Sequence, residues 1–238
     1  MPRKKRSRHI ATVSSRSGGA LGPAQIIAAA LVIARKVGFG GLSMRLLAAK
    51  LDVTATALYH HFPNKNALLD GVGGNIMDSI AMPDRDLPWN DRLRDLILLQ
   101  QQTLMKYPGL ARFCLNHRES AGAMRWMEMI LEVLHDAGFR GVLATRALLT
   151  LSFFVNPLAL LDDRPHPGRN LMIRRKSIEG RITSDPQRYP RLAELLPTLA
   201  DYPYEAHLPI ALERIIAGLG DERARFKRTV AVRRPDHS

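Results

Sequence analysis

Between Gly41 and Lys65 the apolar positions fall at helical spacing in two short runs separated by a turn. Leu47, Ala48 and Leu51 share one face of a run that opens at Ser43, whose hydroxyl can accept from an orphan amide of the first turn, while Arg45 and Lys50 lie elsewhere on it. Asp52 ends the run, being one of the few residues besides glycine that tolerate the left-handed conformation a turn between crossing helices needs. Val53 anchors the turn, and Thr54 can cap a second run whose Ala57, Leu58 and Phe62 are expected to face the first. Its other face carries Ala55, Thr56, Tyr59 and His60, small and hydrogen-bonding side chains of the kind that enter a major groove amino end first. The pair predicts a helix-turn-helix, and with it double-stranded DNA as a partner.

Helical periodicity continues through most of the chain. Upstream, Gly22-Pro23 opens a helix with Ile26, Ile27, Ala30, Leu31, Ala34 and Val37 on its apolar face and Gly38 at its end. Downstream, Pro63 breaks the chain and Asn64 caps a fourth helix striped with Leu68, Val72, Ile76 and Ile80. Gly71, Gly73 and Gly74 weaken that helix intrinsically, which reads as a compliant lever. Met82 to Pro88, rich in proline and charge, is the expected domain boundary. Beyond it the pattern predicts a helix capped by Asn90 and running to Met105, a short piece after Pro108, and a helix over Ser120 to His135. An apolar helix follows from Val142, disturbed at Pro157, then a DDRPHPGR loop, a helix over Leu192 to Leu199, and a last one over His207 to Leu219. Period-2 strand patterns are absent, so the expected fold is all-α: an N-terminal three-helix helix-turn-helix domain plus a larger helical domain. The expected divisions are a disordered basic arm at 1–20, a DNA-binding domain at 21–81, the larger domain at 82–220 and a basic tail at 221–238.

The run from Leu42 to Asp70, LSMRLLAAKLDVTATALYHHFPNKNALLD, resembles the DNA-binding domain of the tetracycline-repressor (TetR) family of bacterial transcriptional regulators. The L-Y-x-H-F-x-N-K-x-x-L-L ending is its most specific part, and WNDRLR at Trp89 and KYPGLA at Lys106 are similar to the start of the family's second domain. The resemblance implies that Arg45 contacts base or backbone, that Tyr59 packs on sugar and phosphate, that His61 contacts phosphate or base, and that Lys65 binds phosphate. With Thr54, Ala55, Thr56 and His60 these make up the expected DNA-binding set. The founding repressors hold glutamine, proline and threonine where this chain has Ala55, Thr56 and Ala57, so a different operator is expected.

For the second domain the resemblance implies a small-molecule effector bound between helices and a homodimer formed through the last helices. The helices near 142–156 and 207–219 are apolar on more than one face, with Leu148, Leu151, Phe153, Phe154, Ile210, Leu212, Ile215 and Leu219, and must be covered by their own domain or by a second subunit. Gln100, Phe113, Trp126, Met127, Ile130 and Phe154 are the candidate pocket lining, core packing being the commoner role for the five apolar ones. Ala81, Leu96 and Gln100 align roughly where a tetracycline pocket uses polar or aromatic groups, so the expected effector is apolar or amphipathic and not tetracycline.

Charge sharpens this picture by its placement. Of the formal net charge of +13, residues 1–66 hold 11 Lys and Arg against the single acid Asp52, whereas residues 67–220 hold 18 of each sign. A basic surplus gathered on the DNA-binding end is the footprint of phosphate contact. The single cysteine, Cys114, excludes an intramolecular disulfide framework and a cysteine-rich zinc site, and fits a reducing cytoplasm. His60 and His61 point to different helix faces and cannot share a metal, and Asp162-Asp163 reads as a solvated loop before a cation site. No nucleophile elbow, phosphate loop or paired metal-ligand motif is present, so neither an enzyme nor a cofactor is expected. No apolar run is expected to span a bilayer. Two readings compete with a ligand-released repressor: a ligand-independent architectural DNA binder, and a DNA-processing enzyme that borrows the motif.

Overall fold

The computed structural model describes the backbone of residues 21–161, 167–201 and 207–232, with side chains except at 155–175, 199–201, 207 and 230–232. The described residues form eleven helices and no strand. Helices α1 (Pro23–Gly41), α2 (Met44–Leu51) and α3 (Ala55–Tyr59) make a small head, and α4 (Lys65–Asp78) runs from it. The body packs α5 (Trp89–Met105), α6 (Leu110–Asn116), α7 (Ala121–Asp136), α8 (Gly141–Leu161) and α11 (His207–Val232) against one another, while α9 (Pro167–Ser184) pairs with α10 (Pro190–Asp201).

Local chemistry starts each head helix where the sequence says it should. The Ser43 hydroxyl accepts from the Leu46 amide at 3.2 Å, Thr54 from Ala57 at 3.2 Å, and the Asn64 side chain from Ala67 at 2.9 Å. Each bond satisfies an amide that the helix itself leaves orphaned, worth about 1 kcal/mol. Asp52 takes the left-handed conformation, φ 54° and ψ 47°, the one non-glycine residue among those described with positive φ. Leu42, Leu47, Leu58 and Leu68 are fully buried with Ile26, Ala30 and Ala34 of α1, so four helices close on one core.

Several expectations are corrected. Val37 is half exposed and Ile33 takes its place in the core, because α1 faces α2, α4 and α6 at once and its buried stripe drifts around the helix. Asn90 sits inside the first turn of α5, whose cap is Pro88 with no side-chain bond. The backbone of α8 runs helically past Pro157 to Leu161, and α9, missed in the sequence, starts at Pro167, so Pro167 to Arg169 of the expected loop are helical; its remainder, 162–166 with Asp162-Asp163, lies outside the described residues. α11 continues to Val232 through most of the expected tail. By length and mean hydropathy (1.4) α1 could cross a bilayer, contrary to expectation; here Ile26, Ala30, Ile33 and Ala34 are buried against neighbouring helices, as in a core helix.

A close joint between head and body lies between α4 and α7. Gly122 of α7 presses on the α4 backbone so closely that a Cβ there would stand 3.0 Å from the carbonyl carbon and oxygen of Gly73, and one on Gly74 would stand 3.1 Å from the Ala121 Cβ. The Asp70 carboxylate accepts the Ala121 amide at 2.6 Å, capping α7 from α4, and Arg125 reaches Asp78 at 3.2 Å. Gly71 and Gly74 of α4 thus permit close approach, to Phe62 and Ala121, a different role from the compliance that propensity alone suggests. Gly122→Ala should therefore lower stability by about 1–3 kcal/mol, the usual range for overpacking against unyielding neighbours. Gly73→Ala, whose Cβ would meet Leu110 at an ordinary 3.6 Å, should be tolerated, and chemical denaturation of the two variants gives the comparison.

Candidate nucleic-acid interface and internal cavity

The face that α3 offers to solvent is narrow. Thr56 and Tyr59 are exposed, Tyr59 by 48%, while Ala55 is half-buried against the core and Leu58 fully buried. A single turn of helix cannot expose every position, so Ala55 is removed from the outward set in which its sequence spacing places it. His60 and His61 lie beyond the helix, which ends at Tyr59; His60 is the C-cap and His61 donates its amide to the Leu58 carbonyl. Both side chains are exposed, as is Arg45 in the first turn of α2. Thr54 spends its hydroxyl on the cap, and Lys65 donates to the Gly40 carbonyl at 3.0 Å, tying the start of α4 to the end of α1. An ammonium has three donors, so this bond leaves Lys65 able to meet a phosphate. The structure leaves Arg45, Thr56, Tyr59, His60 and His61 exposed on the motif, with Lys65 half-buried beside it at the start of α4.

A second contact between head and body lies at the far end of α1. Gly38 has φ 74°, which breaks the helix and lets the Phe39 amide donate to the Pro108 carbonyl at 2.7 Å; a Cβ on Gly38 would stand 2.8 Å from that oxygen. Arg35 donates to the Tyr107 hydroxyl at 2.9 Å and its guanidinium lies 5.2 Å from that ring's centre. Phe39 packs on Phe113, centroids 5.8 Å apart, and Phe113 on His117 at 4.6 Å. Phe113 therefore belongs to this clasp and lines the open cleft beside it, with Phe39, Leu69 and His117, and does not line the internal cavity.

The cavity itself, about 60 Å³, lies where α4, α5, α6, α7 and α8 meet. Gln100, Trp126 and Met127 line it as expected; Ile130 is buried elsewhere in the core, and Phe154 packs partly buried against that core without reaching the cavity. Met77 of α4, Leu104 of α5, Cys114 and Leu115 of α6, Gly122 of α7 and Ser152 of α8 complete most of the wall, with Arg118 the one charged residue among those lining it. Two buried polar atoms in this wall have no hydrogen-bond partner, Gln100 Oε1 and Trp126 Nε1. Buried polar atoms are nearly always paired, with protein or with ordered water, so these two need a partner that the surrounding side chains do not supply. Periodicity could not have found this wall, because its members come one or two at a time from five helices.

Cys114 faces the same space. Burial pushes its thiol up to about 11, the nearby Asp70 carboxylate adding to the shift and a hydrogen bond with Ser120 opposing it. At neutral pH the sulfur is an apolar, unreactive part of the wall. A disulfide-exchange reagent should label native protein slowly at pH 8 and faster as pH rises towards 11, whereas urea-unfolded protein should react at once; rapid native labelling at pH 8 would contradict the assignment.

Comparison with known proteins matches residues 26–72 to the model described as bacterial regulatory proteins, tetR family, and residues 82–223 to the tetracyclin repressor-like C-terminal domain. The chain is 36% identical over 137 residues to the class A tetracycline repressor protein of Escherichia coli from transposon 1721, covering 56% of this chain and 63% of that protein, so the matched region spans less than two thirds of that relative. It is 25% identical over 233 residues to an HTH-type transcriptional repressor of Mycobacterium tuberculosis, 92% of this chain and 89% of that one. Among solved structures it resembles the Streptomyces coelicolor TetR family protein ActR in complex with actinorhodin, with a TM-score of 0.71 and 26% identity over 84% of this chain and 95% of that one.

Proposed function

This chain belongs to the tetR family of bacterial regulatory proteins, and from that premise we propose that it is a transcriptional repressor, binding a palindromic operator as a homodimer and leaving it when a small molecule occupies the cavity. The observation that carries the reading is that α4 has two duties. Its first residue lies beside the DNA-reading motif, and Met77, near its last, forms part of the cavity wall opposite Gly122 of α7. A molecule that enlarges the cavity must push on the joint that holds the head in place. In the same way α6 supplies Cys114 and Leu115 to the wall and is linked through Phe113 and Pro108 to α1. The helix-turn-helix turns with both.

On DNA, α3 enters the major groove, and Thr56 with Arg45 reads base edges while Tyr59, His61 and Lys65 hold phosphates and sugars. Ala55, half-buried, offers at most a methyl contact, so specificity rests on few side chains and on the shape of the duplex. Selection from a random DNA pool should return a palindrome, since two-fold related heads need half-sites about 34–36 Å apart. Tyr59→Ala combined with Lys65→Gln, the amide keeping a donor for Gly40, should weaken binding at least tenfold and flatten the plot of log affinity against log salt by about one unit. An unchanged salt slope, or a selected site without two-fold symmetry, would count against the reading.

Dimerisation uses the uncovered side of α8. Leu143, Ala147 and Leu151 are buried, whereas Val142, Leu149 and Phe153, spaced seven and four residues apart on another face, are exposed, Phe153 by 71%. Such a stripe beside α11, whose Ile210 is also exposed, is the kind of apolar surface that a second copy covers. Phe153→Asp should convert the dimer to monomer in light scattering and cost most of the operator affinity, with far-UV circular dichroism unchanged. A variant that stays dimeric would place the interface elsewhere.

A further inference from the structure

We infer that the effector is an aromatic hydroxy acid: a flat apolar body carrying one hydrogen-bond donor and an anionic oxygen. The inference rests on the reading of the cavity as the effector site and adds its chemistry. Gln100 and Trp126 are 4% and 5% exposed, both residues line the cavity, and each carries a buried polar atom that the protein leaves unpaired. The Gln100 oxygen can only accept, so the guest must donate to it; the Trp126 indole can only donate, so the guest must accept from it. A purely apolar guest would leave both penalties standing, each about 1–3 kcal/mol, whereas a hydroxyl and an oxygen acceptor remove them together.

Charge selects among the molecules that carry those groups. Arg118 is exposed and lines the cavity, and no carboxylate does so. Asp70, the acid that bears on Cys114, is held by the Ala121 amide, and Asp78 faces Arg125. A cationic guest finds no counter-charge among the lining residues, and an anionic one finds Arg118. The rest of the wall, Met77, Leu104, Leu115, Met127 and the Trp126 ring, is flexible thioether, branched alkyl or aromatic surface that can repack around a ring system. At about 60 Å³ the resting space holds a few waters, which a guest displaces while it widens the joint between α4 and α7.

Three bicyclic probes of matched shape test this by calorimetry on the full chain without DNA: 1-hydroxy-2-naphthoate, 1-naphthol and 1-naphthylmethylamine. The acid should bind at least tenfold more tightly than naphthol, and the amine should be weakest. Arg118→Ala should erase the preference for acid over naphthol while leaving naphthol binding unchanged. Gln100→Leu should raise the melting temperature by several degrees, since an orphaned acceptor is gone, and yet weaken the acid at least fivefold; a residue that merely packed would not move the two in opposite directions. The inference is overturned if the amine binds as tightly as the acid, if none of the three binds, or if the acid's preference survives Arg118→Ala. An acid that binds as described but does not release protein from the selected operator would leave the ligand class standing and remove the release mechanism instead.

Discussion

The head is joined to the body at two places, the clasp of α1 on Pro108 and a seam of α4 on α7 where backbone meets backbone. At the crossing of α4 and α7 the Gly122 Cα lies against the Gly73 backbone, so close that a Cβ on Gly122 would force its neighbours to give by a few tenths of an ångström. Such packing is stiff in one sense and sensitive in another. It leaves no rotamer to absorb a displacement, so a change of a few tenths of an ångström at Gly122 becomes a shift of the α4 backbone. The bond from Asp70 to the first amide of α7 and the Arg125–Asp78 pair fix the register of the two helices along the same seam. A cavity placed against this seam has leverage that one elsewhere in the body would lack.

The head's design follows from the need to move as a unit. Its core residues Leu47, Leu58 and Leu68 belong to three different helices and are all fully buried, so α2, α3 and α4 cannot shift independently without opening a cavity. The caps at Ser43, Thr54 and Asn64 and the left-handed turn at Asp52 set the angles between helices too short to be stable alone. In consequence α3, five residues long, can present Thr56 and Tyr59 reproducibly only because the rest of the head holds it.

How much of this could be read in the sequence depends on the range of the interaction concerned. The caps and the Asp52 turn were legible because each is decided within four residues, by a hydroxyl, a carboxamide or a conformational preference. Val37 and Ile33 exchanged places because burial on α1 is decided by three neighbours, which no single stripe describes. The helix α9 is rich in Arg and Gly with no clean apolar stripe, so periodicity gave it no voice, and α11 ran on because Arg, Lys, Glu and Ala are good helix formers whatever their net charge. Gln100, Trp126 and Met127 were candidates through family resemblance and residue type and line the internal cavity; Phe113 lines a different cleft, because an aromatic side chain serves a clasp between head and body as well as a cavity wall.

The energetics of the proposed switch constrain its construction. Turning a repressor from almost wholly bound to almost wholly released requires a ligand to favour one arrangement over the other by about 5.5 kcal/mol. A cavity that was already open and satisfied in the DNA-binding arrangement could not supply this, because the ligand would bind both arrangements alike. Here the resting cavity is small and two of its polar atoms are unpaired, so the ligand's gain is realised only as the wall moves and the orphans find partners. In the proposed switch the walls that give are α4 and α6, and each is tied to the head, one by continuity of the chain and the other by the Phe39–Pro108 bond and the Arg35–Tyr107 pair. Two attachments to one rigid unit convert a local expansion into a change in the head's orientation, where a single attachment would let the head swing freely in both states. In a two-fold dimer that change is made twice with opposite sense, so it appears directly in the separation of the two recognition helices, the quantity that the spacing of the duplex grooves leaves least free to vary.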